Sequence, residues 1–183
     1  MSTENTITAL HRSEFSWIRC EGKGSFLNSP QLKDWAEADL ATGTTTLVVD
    51  LEQCTGMDST FMGTLAGLAM RLMKLPNGKL QIAGAGEKNR SSLEGLGLDV
   101  LMEIDPDSCV WKEKIDQIRE ELKPCSSSSA KEDQASHVLE AHKKLCTADQ
   151  RNNAKFSTVL DYLEAEVEAK KVKTPPTDHP SKG

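Results

Sequence analysis

Asp58, Ser59 and Thr60 stand in a row where the apolar run Leu47-Val48-Val49-Asp50-Leu51 gives way, through a polar turn, to a helical pattern. All three are good N-cap types: a short side-chain oxygen accepts a hydrogen bond from an unpaired N–H of the first helical turn, and that use alone accounts for them. Other groups with chemical potential are thinner. Gly84-Ala85-Gly86-Glu87-Lys88-Asn89 has part of a dinucleotide-binding glycine loop, but the third glycine is missing and the strand before it comes late, so it reads as a strand-to-helix turn. His142 and Cys146 stand four apart on a predicted helix, yet two ligands do not hold a metal, and both read as solvated surface residues. His11, His137, His142 and His179 fall outside the segments that build the α/β core. No Ser-His-Asp or Cys-His set is therefore expected, and the chain reads as a non-enzyme without cofactor or metal. Cys20, Cys54, Cys109, Cys125 and Cys146 are odd in number, lack metal-ligand spacing and read as free thiols.

The elements that must position Asp58–Thr60 alternate between strand and helix. Phe15–Cys20 alternates apolar and polar residues, as a half-buried strand does. Ser29-Pro30 predicts an N-cap followed by proline at the first helical position, with Leu32, Trp35, Ala36 and Leu40 as an apolar stripe. Thr44–Leu51 is β-branched and nearly continuous in apolar residues, the pattern of a central strand covered by helices. Residues 59–75 read as a helix with Phe61, Leu65, Leu68 and Leu72 on one face, stopped by Pro76-Asn77-Gly78. Lys79–Gly84 reads as a strand, Lys88–Leu96 as a helix, Val100–Ile104 as a strand, and Val110, Ile115, Ile118 and Leu122 suggest a closing helix. Such alternation implies a mixed or parallel sheet with crossover helices, whose functional surface lies where strands end and helices begin.

Composition narrows the function. The net charge of −6 is carried by residues 1–129, with 19 acidic and 13 basic side chains, whereas residues 130–183 hold 9 of each. An acidic domain without a basic stripe does not fit nucleic acid or anionic lipid, which leaves protein partners. No apolar run follows basic residues near the start, and none approaches the roughly 20 residues that span a bilayer, so a cytoplasmic protein is expected.

The segment Met57-Asp58-Ser59-Thr60-Phe61-Met62-Gly63, entered from the strand at Leu47–Leu51, resembles the signature of STAS domains of the anti-sigma factor antagonist type. The resemblance runs from about Phe15 to Leu122. It takes in Gly24 before a first helix opened at Ser29, Gly78-Lys79-Leu80, and Leu93-Glu94-Gly95-Leu96-Gly97-Leu98 followed by Leu101-Met102-Glu103-Ile104. It implies an α/β fold with a mixed sheet and helices packed mainly on one face. It implies Ser59 as a phosphorylation site, with Met57, Asp58, Ser59, Thr60, Phe61, Met62, Gly63 and Asn28 contacting the partner. That partner would be an anti-sigma factor that is also a Ser/Thr kinase, bound when Ser59 is unmodified and released when it is phosphorylated, with a phosphatase restoring the first state. A phosphate adds roughly −1.5 to −2 charge, which a helix N-terminus tolerates while an interface shaped to the hydroxyl does not. Asp58 reads either as helix cap or as the residue that orients Ser59 towards the kinase. The family's second Ser and following Gly-Leu are replaced by Thr60, Phe61 and Met62, larger side chains that would reshape the docking surface, and Asn28 stands where the family often has an acidic residue. An accessory subunit of a lipid-transporting ABC complex and a stressosome-like scaffold are the alternatives within the same resemblance.

The chain divides into an α/β domain at 1–123, a Ser-rich linker at 124–134, a helical extension at 135–172 and a disordered tail at 173–183. In the extension Leu139, Cys146, Asn153, Leu160 and Val167 recur every seven residues, a coiled-coil-like seam that Asp149–Asn153 can equally divide into two helices. A hairpin resting on its own domain, and an arm for self-association or for a partner, are both open.

Overall fold

The computed structural model describes residues 4–126 and 133–173; the serine run from 127 and the tail from 174, read above as linker and disordered end, lie outside them. The strands are β1 (Thr6–His11), β2 (Ser16–Gly24), β3 (Thr46–Asp50), β4 (Cys54–Met57), β5 (Lys79–Ala83), β6 (Glu103–Ile104) and β7 (Lys123–Pro124). The helices are α1 (Ser29–Leu40), α2 (Ser59–Met73), α3 (Gly86–Gly95), α4 (Ile115–Glu121), α5 (Gln134–Ala148) and α6 (Arg151–Lys173). The sheet runs β6-β5-β3-β2-β1-β7, and β4 branches from it by pairing with β2. β1 is antiparallel to β2 and β7, while β2, β3, β5 and β6 pair in parallel, so the sheet is mixed as the sequence implied.

Central β3 explains its own composition. Leu47 and Val49 face one core with α1, α2 and α3, while Val48 faces the other with Trp17 and Trp111. Period-2 alternation between two covered faces leaves no polar position until Asp50. Three helices cover one face of the sheet, and among the described residues Trp111 and the short α4 close the other. There Trp17 meets Trp111 edge-on at 5.2 Å, and the Trp111 indole N–H donates to Gln81 at 2.8 Å. Asp50 is fully buried at the end of β3, and Arg19 Nη1 (3.0 Å) and Arg119 Nε (2.9 Å) both donate to its Oδ2. A charge buried so deeply persists only because two guanidinium groups compensate it, which ties α4 to the sheet.

Several expectations shift. β1 has no counterpart in the sequence reading, although Thr6-Ile7-Thr8-Ala9-Leu10 alternates in the manner of a strand. Of the predicted strand Val100–Ile104, Val100 ends a 3₁₀ turn at Leu98–Val100, Leu101 and Met102 turn, and Glu103–Ile104 pairs with β5. Gly97 at φ 71° ends the preceding turn left-handed and leaves too few residues for a longer strand. The cap of α1 is Asn28 rather than Ser29, which is the first helical residue and is fully buried. The predicted seam does not run through one helix: Asp149 ends α5 and its carboxylate accepts from Arg151 N at 2.9 Å, so α6 folds back. Leu139, Leu163 and Val167 then pack within the hairpin with Ala135, and Lys170 reaches Asp133 at 3.0 Å. The seam's apolar residues are thereby consumed inside one chain.

Candidate switch site at the start of the second helix

β4 places the site. At Gly22/Lys23 the register of β2 shifts, and beyond it Lys23 and Gly24 pair with Gly56 and Met57. The chain then turns into α2, with Asp58 N donating to Gly24 O at 2.9 Å. Gly24 is required by what lies above it: a Cβ there would stand 2.9 Å from the Phe61 ring. α3 steadies the turn, as Lys88 Nζ donates to Thr55 O (2.7 Å) and Asn89 Nδ2 to Cys54 O (2.9 Å). Cys54 also meets the fully buried Cys20, whose thiol is pushed well above the ordinary range by its hydrogen bond with Cys54 and then by burial.

Asp58 is the N-cap of α2: its Oδ1 accepts from Phe61 N at 2.8 Å with the extended backbone that a cap needs. Its Oδ2 accepts from Phe26 N, also at 2.8 Å. One carboxylate therefore starts α2 and fixes the loop before α1, on which Phe26 and Leu27 are exposed. Asn28 shapes the same loop, accepting from Ser25 N (2.8 Å) and donating to Lys23 O (3.0 Å).

With Asp58 capping, the helix does not need the Ser59 hydroxyl. It meets His142 Nε2 of α5 at 2.9 Å. The other ring nitrogen of His142 lies 2.7 Å from Val138 O and so must carry a hydrogen, which leaves Nε2 as acceptor for the Ser59 hydroxyl in the neutral ring. The His142 ring is buried and packs edge-on against Phe156 of α6 at 5.1 Å. This corrects the reading of His142 as a solvated residue remote from the α/β core. A parallel contact joins Ser29 Oγ to His137 Nε2 at 2.8 Å, so both helix-start serines face histidines of α5.

The structure brings Met57, Asp58, Ser59 and Asn28 together around the start of α2, but it turns Thr60, Phe61 and Met62 inward. Phe61 is completely buried under Gly24, so the departure from the family pattern reshapes the core, not a docking surface. Gly63 is covered by α5: a Cβ there would come within 2.2 Å of Ala141 O. His137, His142 and Phe156 were invisible to motif reasoning. The signal available was α2 itself, where Met62, Ala66 and Ala69 are as buried as Phe61, Leu65 and Leu72. A helix apolar on both sides demands a second cover.

A second cluster corrects the statement that every histidine lies outside the core. His11, at the end of β1, has Nδ1 2.7 Å from Asp39 Oδ1 and 3.3 Å from Ser16 Oγ, and Ser16 donates to Asp39. This is not a nucleophile set: the same imidazole nitrogen faces both partners, and Ser16 is fully buried with its proton directed at the carboxylate. Among the described residues no three His, Cys, Asp or Glu side chains form a metal-holding group, and no helix is long and apolar enough to cross a membrane.

The family model for the STAS domain matches residues 6–108, from β1 to just before α4. The chain belongs to the STAS domain family. The match covers the whole of the Asp58–Ser59 site and stops short of α5 and α6. Among solved structures, a putative anti-sigma factor antagonist from Thermotoga maritima aligns with TM-score 0.51 at 16% identity, over 62% of this chain and 94% of that one. An anti-sigma factor antagonist from Mycobacterium paratuberculosis aligns with TM-score 0.49 at 20% identity, over 63% and 95%. The phosphorylated form of the Bacillus cell fate determinant SpoIIAA aligns with TM-score 0.46 at 21% identity, over 64% and 99%. At these identities the likeness concerns the fold. A search of the curated proteins returns no match.

Proposed function

We propose that this STAS domain is a non-enzymatic, phospho-regulated protein-binding switch of the anti-sigma factor antagonist kind, acting in the cytoplasm with Ser59 as the modified residue. The observation that carries the reading is the division of labour at the start of α2. Asp58 supplies the cap, so the Ser59 hydroxyl is spared from holding the helix and its modification need not unfold it. A phosphate there would sit at the positive end of α2, with the Lys88 ammonium on the turn just before. Exposed Phe26 and Leu27, tied to the same carboxylate, supply apolar contact for a partner, and Met57, Asp58 and Asn28 set the shape of that surface. The partner of the unmodified form is a Ser/Thr kinase anti-sigma factor, and a phosphatase reverses the modification. Added charge beside Asp58, on a domain already at −6, repels a partner surface fitted to the hydroxyl.

The test is purification from the native cell of wild type, Ser59→Ala and Ser59→Asp, with mass spectrometry of the peptide carrying residue 59. A Ser/Thr kinase retained by Ser59→Ala and lost by Ser59→Asp, with phosphate on wild-type Ser59, is the expected result. The same partners with all three chains, or an ATPase and a permease with no phosphate at Ser59, would sink the proposal.

A further inference from the structure

We propose that the α5–α6 hairpin is an internal ligand of the switch surface: it holds the half-buried Ser59 hydroxyl on His142 and covers the outer face of α2, so that phosphoryl transfer to Ser59 and docking on that face both compete with it. This rests on reading Ser59 as the switch, and it adds a regulator that the matched family segment does not contain.

The contact is built for close approach. Gly63 and Gly67 are one turn apart on α2; the Ala141 backbone lies over the first and the Lys144 side chain over the second, at 3.3 Å from where a Cβ would be. Two glycines in this spacing remove the side chains that would hold a second helix away. The polar contacts then fall on the functional groups themselves. His142 meets Ser59 Oγ, the atom to be modified, and His137 meets Ser29 Oγ at the start of α1. Asn152 and Lys155 of α6 anchor the far end by donating to Leu96 O (2.9 Å) and Gly95 O (2.8 Å).

A kinase must take Ser59 Oγ off His142 Nε2 before it can bring a phosphoryl group in line with it, and Phe156 packs behind that ring. A partner that reads the outer face of α2 likewise meets α5 first. The bare domain would bind at the intrinsic affinity of its surface, whereas the whole chain binds at that affinity reduced by the fraction of molecules in which the hairpin has swung away.

The test uses the full chain and no partner, so its outcome is independent of whether Ser59 is phosphorylated in the cell. Ser59→Cys places a thiol at the half-buried position that faces His142, and alkylation by N-ethylmaleimide is followed peptide by peptide. Fully buried Cys20 reports the integrity of the core. In the folded chain the introduced thiol should react at least about tenfold more slowly than in denaturant, because α5 hinders it until local opening frees it. Adding Gly63→Ala, which favours α2 as a helix but collides with Ala141 O, should raise the rate at least about threefold while Cys20 stays protected. Adding His142→Ala instead should raise it in the same direction without any steric change in α2, and this variant decides the matter if Gly63→Ala also exposes Cys20. An introduced thiol that reacts as fast in the folded chain as in denaturant overturns the proposal. So does one whose protection is untouched by His142→Ala and by a folded Gly63→Ala chain.

Discussion

Replacing Asp58 tests its two contacts, the cap of α2 and the tie to the loop before α1, because each oxygen has its own donor. In Asp58→Ala the Phe61 N–H loses its acceptor, at about 1 kcal/mol for a lost N-cap. The Phe26 N–H loses the other oxygen, but that group is exposed and water replaces the bond, so about 0.5 kcal/mol is expected. Loss of the carboxylate at the positive end of α2 adds about 0.5 kcal/mol. The sum is about 2 kcal/mol, which for a chain of 183 residues lowers Tm by about 4–8 °C. Asp58→Asn keeps an amide oxygen for the cap but turns an NH2 towards the Phe26 N–H, so it should lose that bond as well as the charge, about 1 kcal/mol or about 2–4 °C. Differential scanning calorimetry of the three proteins at low salt measures both. An Asp58→Ala chain melting within about 1 °C of wild type would refute the capping argument. Equal losses in the alanine and asparagine variants would mean that the charge and the Phe26 bond, not the cap bond, hold the start of α2.

Two further perturbations test other parts of the structure. Asp50→Ala leaves Arg19 and Arg119 with only the more exposed Glu52 and, for Arg19, Glu21, so urea unfolding should show a loss of about 3 kcal/mol; a loss below about 1 kcal/mol would mean that those carboxylates compensate both guanidinium groups. Burial pushes the Cys125 thiol up to about 11, against 9.0 for an ordinary thiol, and only the thiolate is alkylated. Its alkylation rate should therefore keep climbing with pH beyond 9.0 and level near 11, and a plateau near 9.0 would contradict the buried placement.

Local pattern and tertiary structure divided this molecule along physical lines. β3, α1, α2, β5 and α3 were legible because a strand between two covered faces and a helix with one apolar stripe write their periods into a few consecutive residues. The Asp58-Ser59 helix start was legible for the same reason, since an N-cap acts within three residues of itself. β6 was placed but drawn too long, and β1, β4 and β7 were not read at all; β4 and β7 are short strands whose ladders are completed by β2 and β1 rather than by their own residues. The partner of Ser59 was beyond local pattern altogether. His142 lies 83 residues away and comes to Ser59 only because Asp149 breaks the predicted seam, α6 folds back, and Gly63 admits Ala141 against α2. Such a contact depends on the packing of two surfaces, and neither surface alone carries its address. By itself the sequence determined that a serine stands at the head of a capped helix in a STAS domain; the docking of α5 decided that this serine is half-buried against a histidine.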